Sequence, residues 1–163
     1  MYVERVPNRK SPPAILLRES HREGDKIKKR TLANLSHWSG ERIERLRRVL
    51  RDWLVRHARR CFEGPLRALS QQMGVAAGAL QVRCQRTRWG SCSRHGTISL
   101  NACLLFQSPQ VLRYLMIHEL SHRRHMNHSA QFWAEVARHE PDWRALDREL
   151  LQGWRLVPGW IFR

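Results

Sequence analysis

The sequence is poor in acidic residues: 14 Asp and Glu stand against 30 Lys and Arg, leaving a formal net charge of +16 over 163 residues. A polyanionic partner therefore has to be considered from the outset. No apolar run approaches the ~18 residues that a membrane span requires. Glu4, Arg5, Arg9 and Lys10 stand where a secretory signal would carry its apolar stretch. The expectation is a cytoplasmic protein with no membrane partner. Cysteine is sparse: Cys61, Cys84, Cys92 and Cys103 form no CxxC pair, which excludes the usual structural zinc spacings and reads as four reduced, small apolar residues. There is no internal repeat, and no lysine after Lys29. Residues 1–60 hold 17 basic and 7 acidic side chains and residues 61–163 hold 13 and 7, a split that suggests two parts.

The hydrophobic share, 42%, suffices for one globular domain with a small appendage. Ala14 to Leu17 reads as a short strand, Arg22 to Asp25 as a turn, and Lys26 to Leu35 as a basic returning arm. Ser39 can cap a helix that carries Ile43, Leu46, Val49, Leu50, Trp53 and Leu54 on one face and a dense set of arginines on the other. Gly64-Pro65 is expected to stop it, with a shorter helix following through Leu66, Leu69 and Met73 to Gly74. The period then becomes two, with one strand at Leu80, Val82 and Cys84 and another at Thr97 to Asn101. Ser108-Pro109 opens a helix expected to run to about His125; Ser129 opens another that Pro141 ends, and a last one covers about Asp142 to Leu151.

The chemistry concentrates in His118-Glu119-Leu120-Ser121-His122. Two histidines four apart on a helix project from one face, one turn from each other, so both imidazoles can reach a single zinc ion. Glu119, beside the first, can take a proton from a water at that ion. With 9 His and 10 Glu in the chain, chance would produce this HExxH pattern about 0.03 times. A catalytic zinc needs a third protein ligand. His125 is seven residues past His118, so on an unbroken helix it would lie about 10 Å along the axis, too far for bonds of about 2 Å. His128 fits better, because Asn127 can end the helix and let the chain turn back. Glu135, Glu140 and Asp142 are its rivals, with His125 last.

Several stretches, in order, carry a family resemblance: Arg86-Thr87-Arg88-Trp89-Gly90-Ser91-Cys92, Ile98-Ser99-Leu100-Asn101, the HExxH segment, and His125-Met126-Asn127-His128-Ser129 with Phe132-Trp133. From about Trp53 to about Trp143 the chain resembles the YgjP-like metallopeptidases, relatives of the SprT-like and WLM zinc proteases. The resemblance implies an α+β, zincin-like domain whose HExxH helix packs on a small antiparallel sheet, preceded by a basic hairpin or arm and a long helix. It implies a zinc-dependent peptidase acting on a peptide or protein substrate, with His118, His122 and His128 as metal ligands and Glu119 as catalytic base. It also makes Thr87 to Cys92 and Leu100-Asn101 the lining of the site, an edge strand for an extended substrate. The β-rich head that family members carry before the helix is not recognisable here. Met1 to about Arg51 instead resembles the N-terminus of an insertion-sequence transposase, so the expected organisation is a basic segment, 1–51, and a metallopeptidase domain, 52–163. The alternative function is nucleic-acid binding through the basic N-terminal half, with a vestigial metal site. Nothing in the sequence indicates an oligomeric state.

Overall fold

The computed structural model describes residues 1–23 and 26–162. They form two compact units, Met1–Trp53 with Pro158–Arg163, and Leu54–Val157. No helix among the described residues is long and apolar enough to cross a membrane.

The first unit holds an antiparallel meander of β1 (Tyr2–Val6), β2 (Ala14–Glu23) and β3 (Lys26–Asn34), in that spatial order. Only the start of β2 is apolar, yet pairing continues to Glu23↔Lys26. Opposite charges line the sheet: Glu4 of β1 takes Arg18 at 2.8 Å and Lys29 at 3.0 Å, and Glu19 faces Arg30 at 3.7 Å. Lys28 pairs with Glu23. The returning arm is thus a strand whose cations are met by acids. A β-rich head does precede the helix, hidden in the sequence because its strands lack the alternation of apolar and polar residues that marks a half-buried sheet. Of the turn expected at Arg22 to Asp25, Gly24 and Asp25 lie outside the described residues. Among the described residues of this unit, Val3, Leu35, Ile43, Leu50, Trp160 and Ile161 are buried apolar residues.

Helix α1 (Gly40–Met73) is unbroken, which corrects the expected stop at Gly64-Pro65. Leu54, Ala58, Phe62, Leu66, Leu69 and Met73 form one buried row across the proline. An interior proline costs about 3 kcal/mol, whereas each fully buried large apolar side chain contributes about 1.5–3 kcal/mol. The row wins. Pro65 is exposed, as is Cys61, whose carbonyl loses the Pro65 N–H as partner. The helix ends instead at Gly74, whose φ of 62° suits the left-handed residue that commonly closes a helix.

In the second unit β4 (Leu80–Arg83), β5 (Gly90–Cys92) and β6 (Ile98–Asn101) make a sheet of order β4-β6-β5. One pairing departs from the antiparallel sheet expected: β4 runs parallel to β6, while β5 is antiparallel to it. The chain uses β5 and its flanking turns as the crossover, and β5 takes the opposite edge. A 3-10 turn (Ala102–Phe106) leads to α2 (Pro109–Ser121), followed by α3 (Ala130–His139) and α4 (Trp143–Gln152). Ser108 and Ser129 cap α2 and α3 by accepting from the Val111 and Phe132 N–H groups. Ile98, Leu100, Leu104, Tyr114, Ile117, Leu120, Phe132 and Val136 fill the core between sheet and helices. This is an α+β arrangement.

Candidate metal centre

Helix α2 stops at Ser121, one turn earlier than the sequence suggests. Two arginines fasten the turn that follows. Arg123 donates to the carbonyls of Ala76 at 3.0 Å and Arg94 at 3.3 Å. Arg124 donates to Met73 O at 2.7 Å and pairs with Glu135 at 2.8 Å. The chain therefore doubles back, and His128 arrives at the face of α2 that carries His118.

Side-chain nitrogens of His118, His122 and His128 all lie within 4.8 Å of one another, the one such cluster among the described residues. The Nε2 atoms of His118 and His128 are 3.1 Å apart. Two nitrogens bound tetrahedrally to one zinc at about 2.0–2.1 Å would stand about 3.3 Å apart. Burial first, then His122 and His128, hold His118 down to about 3, so its imidazole is neutral and has a lone pair to give. His122 is lowered by the same desolvation. Each ring is also oriented. The His122 Nδ1–H donates to the His125 carbonyl at 3.1 Å, which leaves Nε2 free. Phe132 stacks on His122 with centroids 4.5 Å apart, and Trp133 stacks on His128 at 5.6 Å. Trp143 backs Trp133 at 4.1 Å.

Glu119 is 4% exposed, and its Oε2 has no hydrogen-bond partner among the described residues. Burial pushes its carboxyl up to about 8. It faces Gly90 of β5, where a Cβ would come within 2.6 Å of Oε1. A side chain there would displace the carboxyl from its place. Asn101 holds the approach to β5, donating to the carbonyls of Gln85 at 2.8 Å and Arg88 at 2.7 Å and accepting from the Cys103 N–H. A cavity of about 320 Å³ opens over the centre, lined by the three histidines, Glu119, Arg88, Gly90, Ser91, Cys92 and Met126. The three converging imidazoles, the orphaned carboxyl oxygen and the cradle at Gly90 together fit a divalent cation that prefers nitrogen donors and an acid–base group beside it.

The other candidates are engaged elsewhere. Glu135 pairs with Arg124 and with His139, Glu140 pairs with Arg113, and Asp142 sits at the start of α4. His125 contributes its carbonyl rather than its ring. Trp89 is 8% exposed and stacks on Trp154 at 4.0 Å, a packing role. All four cysteines are free thiols; Cys103 is raised, first by its hydrogen bond with Cys84 and then by burial. Sequence reasoning missed Tyr114 and Asp147. Tyr114 is fully buried, its hydroxyl donating to Asp147 Oδ1 at 2.8 Å and lying 3.5 Å from His118 Nδ1. Burial and the Asp147 hydrogen bond raise the phenol, which therefore keeps its proton. Its position four residues before His118 was the available signal; Asp147, 33 residues further on than Tyr114, offered none.

A pair of histidines on one helix, a third from the following turn and a buried carboxyl at an edge strand describe a metallopeptidase. The chain belongs to the YgjP-like metallopeptidase family: the family's metallopeptidase-domain model matches residues 14–152 and so includes β2, β3 and all of α1. Among solved structures, the metallopeptidase zymogen abylysin of Pyrococcus abyssi is similar with a TM-score of 0.51 and 24% identity over 55% of this chain and 91% of that one. The zymogen jannalysin of Methanocaldococcus jannaschii gives a TM-score of 0.49 and 16% identity over 55% and 93%. No curated protein matches.

Proposed function

We propose that this protein is a zinc-dependent peptidase in which His118, His122 and His128 hold the metal and Glu119 is the general base. The observation that carries this reading is the convergence of three imidazoles beside a buried carboxyl oxygen without a partner, under an open cavity. Zinc held there would supply Lewis acidity, polarising the scissile carbonyl and lowering the pKa of a water. Glu119 takes the proton of the attacking water and hands it to the leaving amine. The buried position suits the second step, in which the carboxyl holds the proton for the leaving amine; the first step requires it ionised, which a cation held by the neighbouring histidines would favour. β5 is an edge of its sheet, so its unpaired side can accept an extended peptide by backbone hydrogen bonds across the cavity. All of these residues lie in the second unit, Leu54–Val157, and within the stretch that the family model matches, 14–152; we assign the catalysis to that unit. The free thiols of all four cysteines support a reducing, cytoplasmic setting.

The test joins metal analysis to peptide cleavage. Wild-type protein should bind one zinc per chain, and replacing both His118 and His122 by alanine should remove it. Glu119→Gln should keep the zinc and lower cleavage by about 10²–10⁴-fold. Cleavage at the wild-type rate in that variant would overturn the mechanism.

A second reading, nucleic-acid binding through the basic N-terminal half, is favoured by one feature. Arg45, Arg48, Arg56, Arg59 and Arg60 are exposed on α1 and form no ion pair among the described residues. Binding to duplex DNA that weakens steeply between low and moderate salt, and that is lost when these arginines become glutamine, would support it; binding insensitive to both changes would remove it.

A further inference from the structure

A zinc-binding histidine must present a lone pair on one ring nitrogen, so something has to hold the proton on the other. For His122 that partner is the His125 carbonyl, which can only accept. For His118 the neighbour of Nδ1 is the Tyr114 hydroxyl, which could equally well donate or accept. A donating hydroxyl would place the lone pair on Nδ1 and the proton on Nε2, the atom that faces His128 and would have to bind the metal.

Asp147 resolves this ambiguity. Its Oδ1 lies 2.8 Å from the Tyr114 oxygen, a full hydrogen bond, whereas His118 Nδ1 is 3.5 Å away. The shorter contact claims the phenolic hydrogen, because a carboxylate has only lone pairs to offer. The oxygen then turns a lone pair toward Nδ1. Asp147 comes from α4 and Tyr114 from α2, so the two join through tertiary packing, and Tyr114 is wholly buried.

We infer that Asp147 and Tyr114 form a positioning dyad that fixes the tautomer of His118, with the proton on Nδ1 and the lone pair on Nε2. The inference rests on the proposed role of His118 as a metal ligand. Neither dyad residue touches the metal. Asp147 acts through Tyr114, and Tyr114 acts through the ring.

Three variants of the full chain separate this role from simple packing. Tyr114→Phe keeps the buried ring and removes the hydroxyl. Asp147→Ala, at a half-buried site, frees the Tyr114 hydrogen to point at Nδ1. Asp147→Asn keeps an acceptor oxygen in place. Nitrogen NMR of the histidine rings in zinc-free protein reads the tautomer directly, and competition against a chelating dye reads zinc affinity. The wild type should show His118 protonated on Nδ1. Tyr114→Phe should give a mixture of tautomers, Asp147→Ala should favour the proton on Nε2, and Asp147→Asn should resemble the wild type. Zinc affinity should fall about 10–100-fold in the first two variants and recover in the third. An unchanged His118 tautomer in both Tyr114→Phe and Asp147→Ala would overturn the dyad, as would a zinc affinity equal to that of the wild type. A wild-type chain that shows the Nδ1 tautomer but binds no zinc would instead overturn the metal reading, leaving the dyad's control of His118 standing.

Discussion

Glu4 in the N-terminal sheet and Glu119 in the second unit both carry carboxyl groups on regular elements, yet they live in opposite conditions. Glu4 keeps 29% of its side chain exposed and bridges Arg18 and Lys29. Glu119 is buried, with an oxygen that has no partner. The arginines divide by partner rather than by burial. Arg123 and Arg124 bind carbonyls of other segments, whereas Arg45, Arg48, Arg56, Arg59 and Arg60 of α1 stand in solvent. The difference shows that the net charge of +16 is not one property. Water screens the exposed charges, so each is worth little by itself. Where water is excluded, as at Glu119, a single polar group decides what chemistry can occur.

The largest break in this comparison should come from Gly90→Ala. The added methyl would meet Glu119 Oε1 at 2.6 Å and push the carboxyl aside. Peptide cleavage should fall at least about 10²-fold, the contribution of a displaced acid–base group. Zinc binding should stay intact, because Gly90 is not among the three clustered histidines. Cleavage assays with parallel metal analysis check both halves.

The next contrast sets two arginines against each other. Arg124→Ala leaves the Met73 carbonyl and Glu135 without their cation; with 37% of the Arg124 side chain exposed to screening water, it should cost about 0.5–1.5 kcal/mol in urea unfolding. Arg59→Ala on the open face of α1 should stay within about 0.5 kcal/mol of wild type. Equal losses would erase the distinction drawn between the two sets.

A smaller loss than that at Arg124 belongs to Glu4→Gln, expected to cost about 0.2–1 kcal/mol at neutral pH. Arg18 first, and then Lys29, hold the Glu4 carboxyl below its ordinary value of 4.5. A folded-state value below the unfolded one means that the stabilisation is fully present above pH 4.5 and is lost as pH falls through the folded value. The gap between variant and wild type should therefore close on acidification; a gap that widens below pH 4.5 would contradict the assigned partners.

Much of the site could be read one residue at a time. Ser108 and Ser129 cap the helices they were expected to cap, and His118 and His122 share a face because four residues make about one turn. The failures follow a pattern. Pro65 was expected to end a helix by a local rule, but the row from Leu54 to Met73 buries enough apolar surface to override it. The strands of the N-terminal sheet were partly hidden because their backbone pairing is lined by opposite charges, which only the register reveals, instead of an alternating apolar face. β4 could not be recognised as parallel to β6, since strand direction depends on how the intervening chain crosses.

By itself the sequence determined the chemical repertoire: two imidazoles and a carboxyl on consecutive faces of one turn, with a third histidine beyond a helix end. These depend on spacings of a few residues, and helix geometry converts such spacings directly into positions. Only the tertiary structure decided which histidine closes the cluster, that a side chain at Gly90 would displace the Glu119 carboxyl, and that Asp147 stands behind Tyr114. Those outcomes join segments far apart in the chain, and their distances are set by how sheet and helices pack.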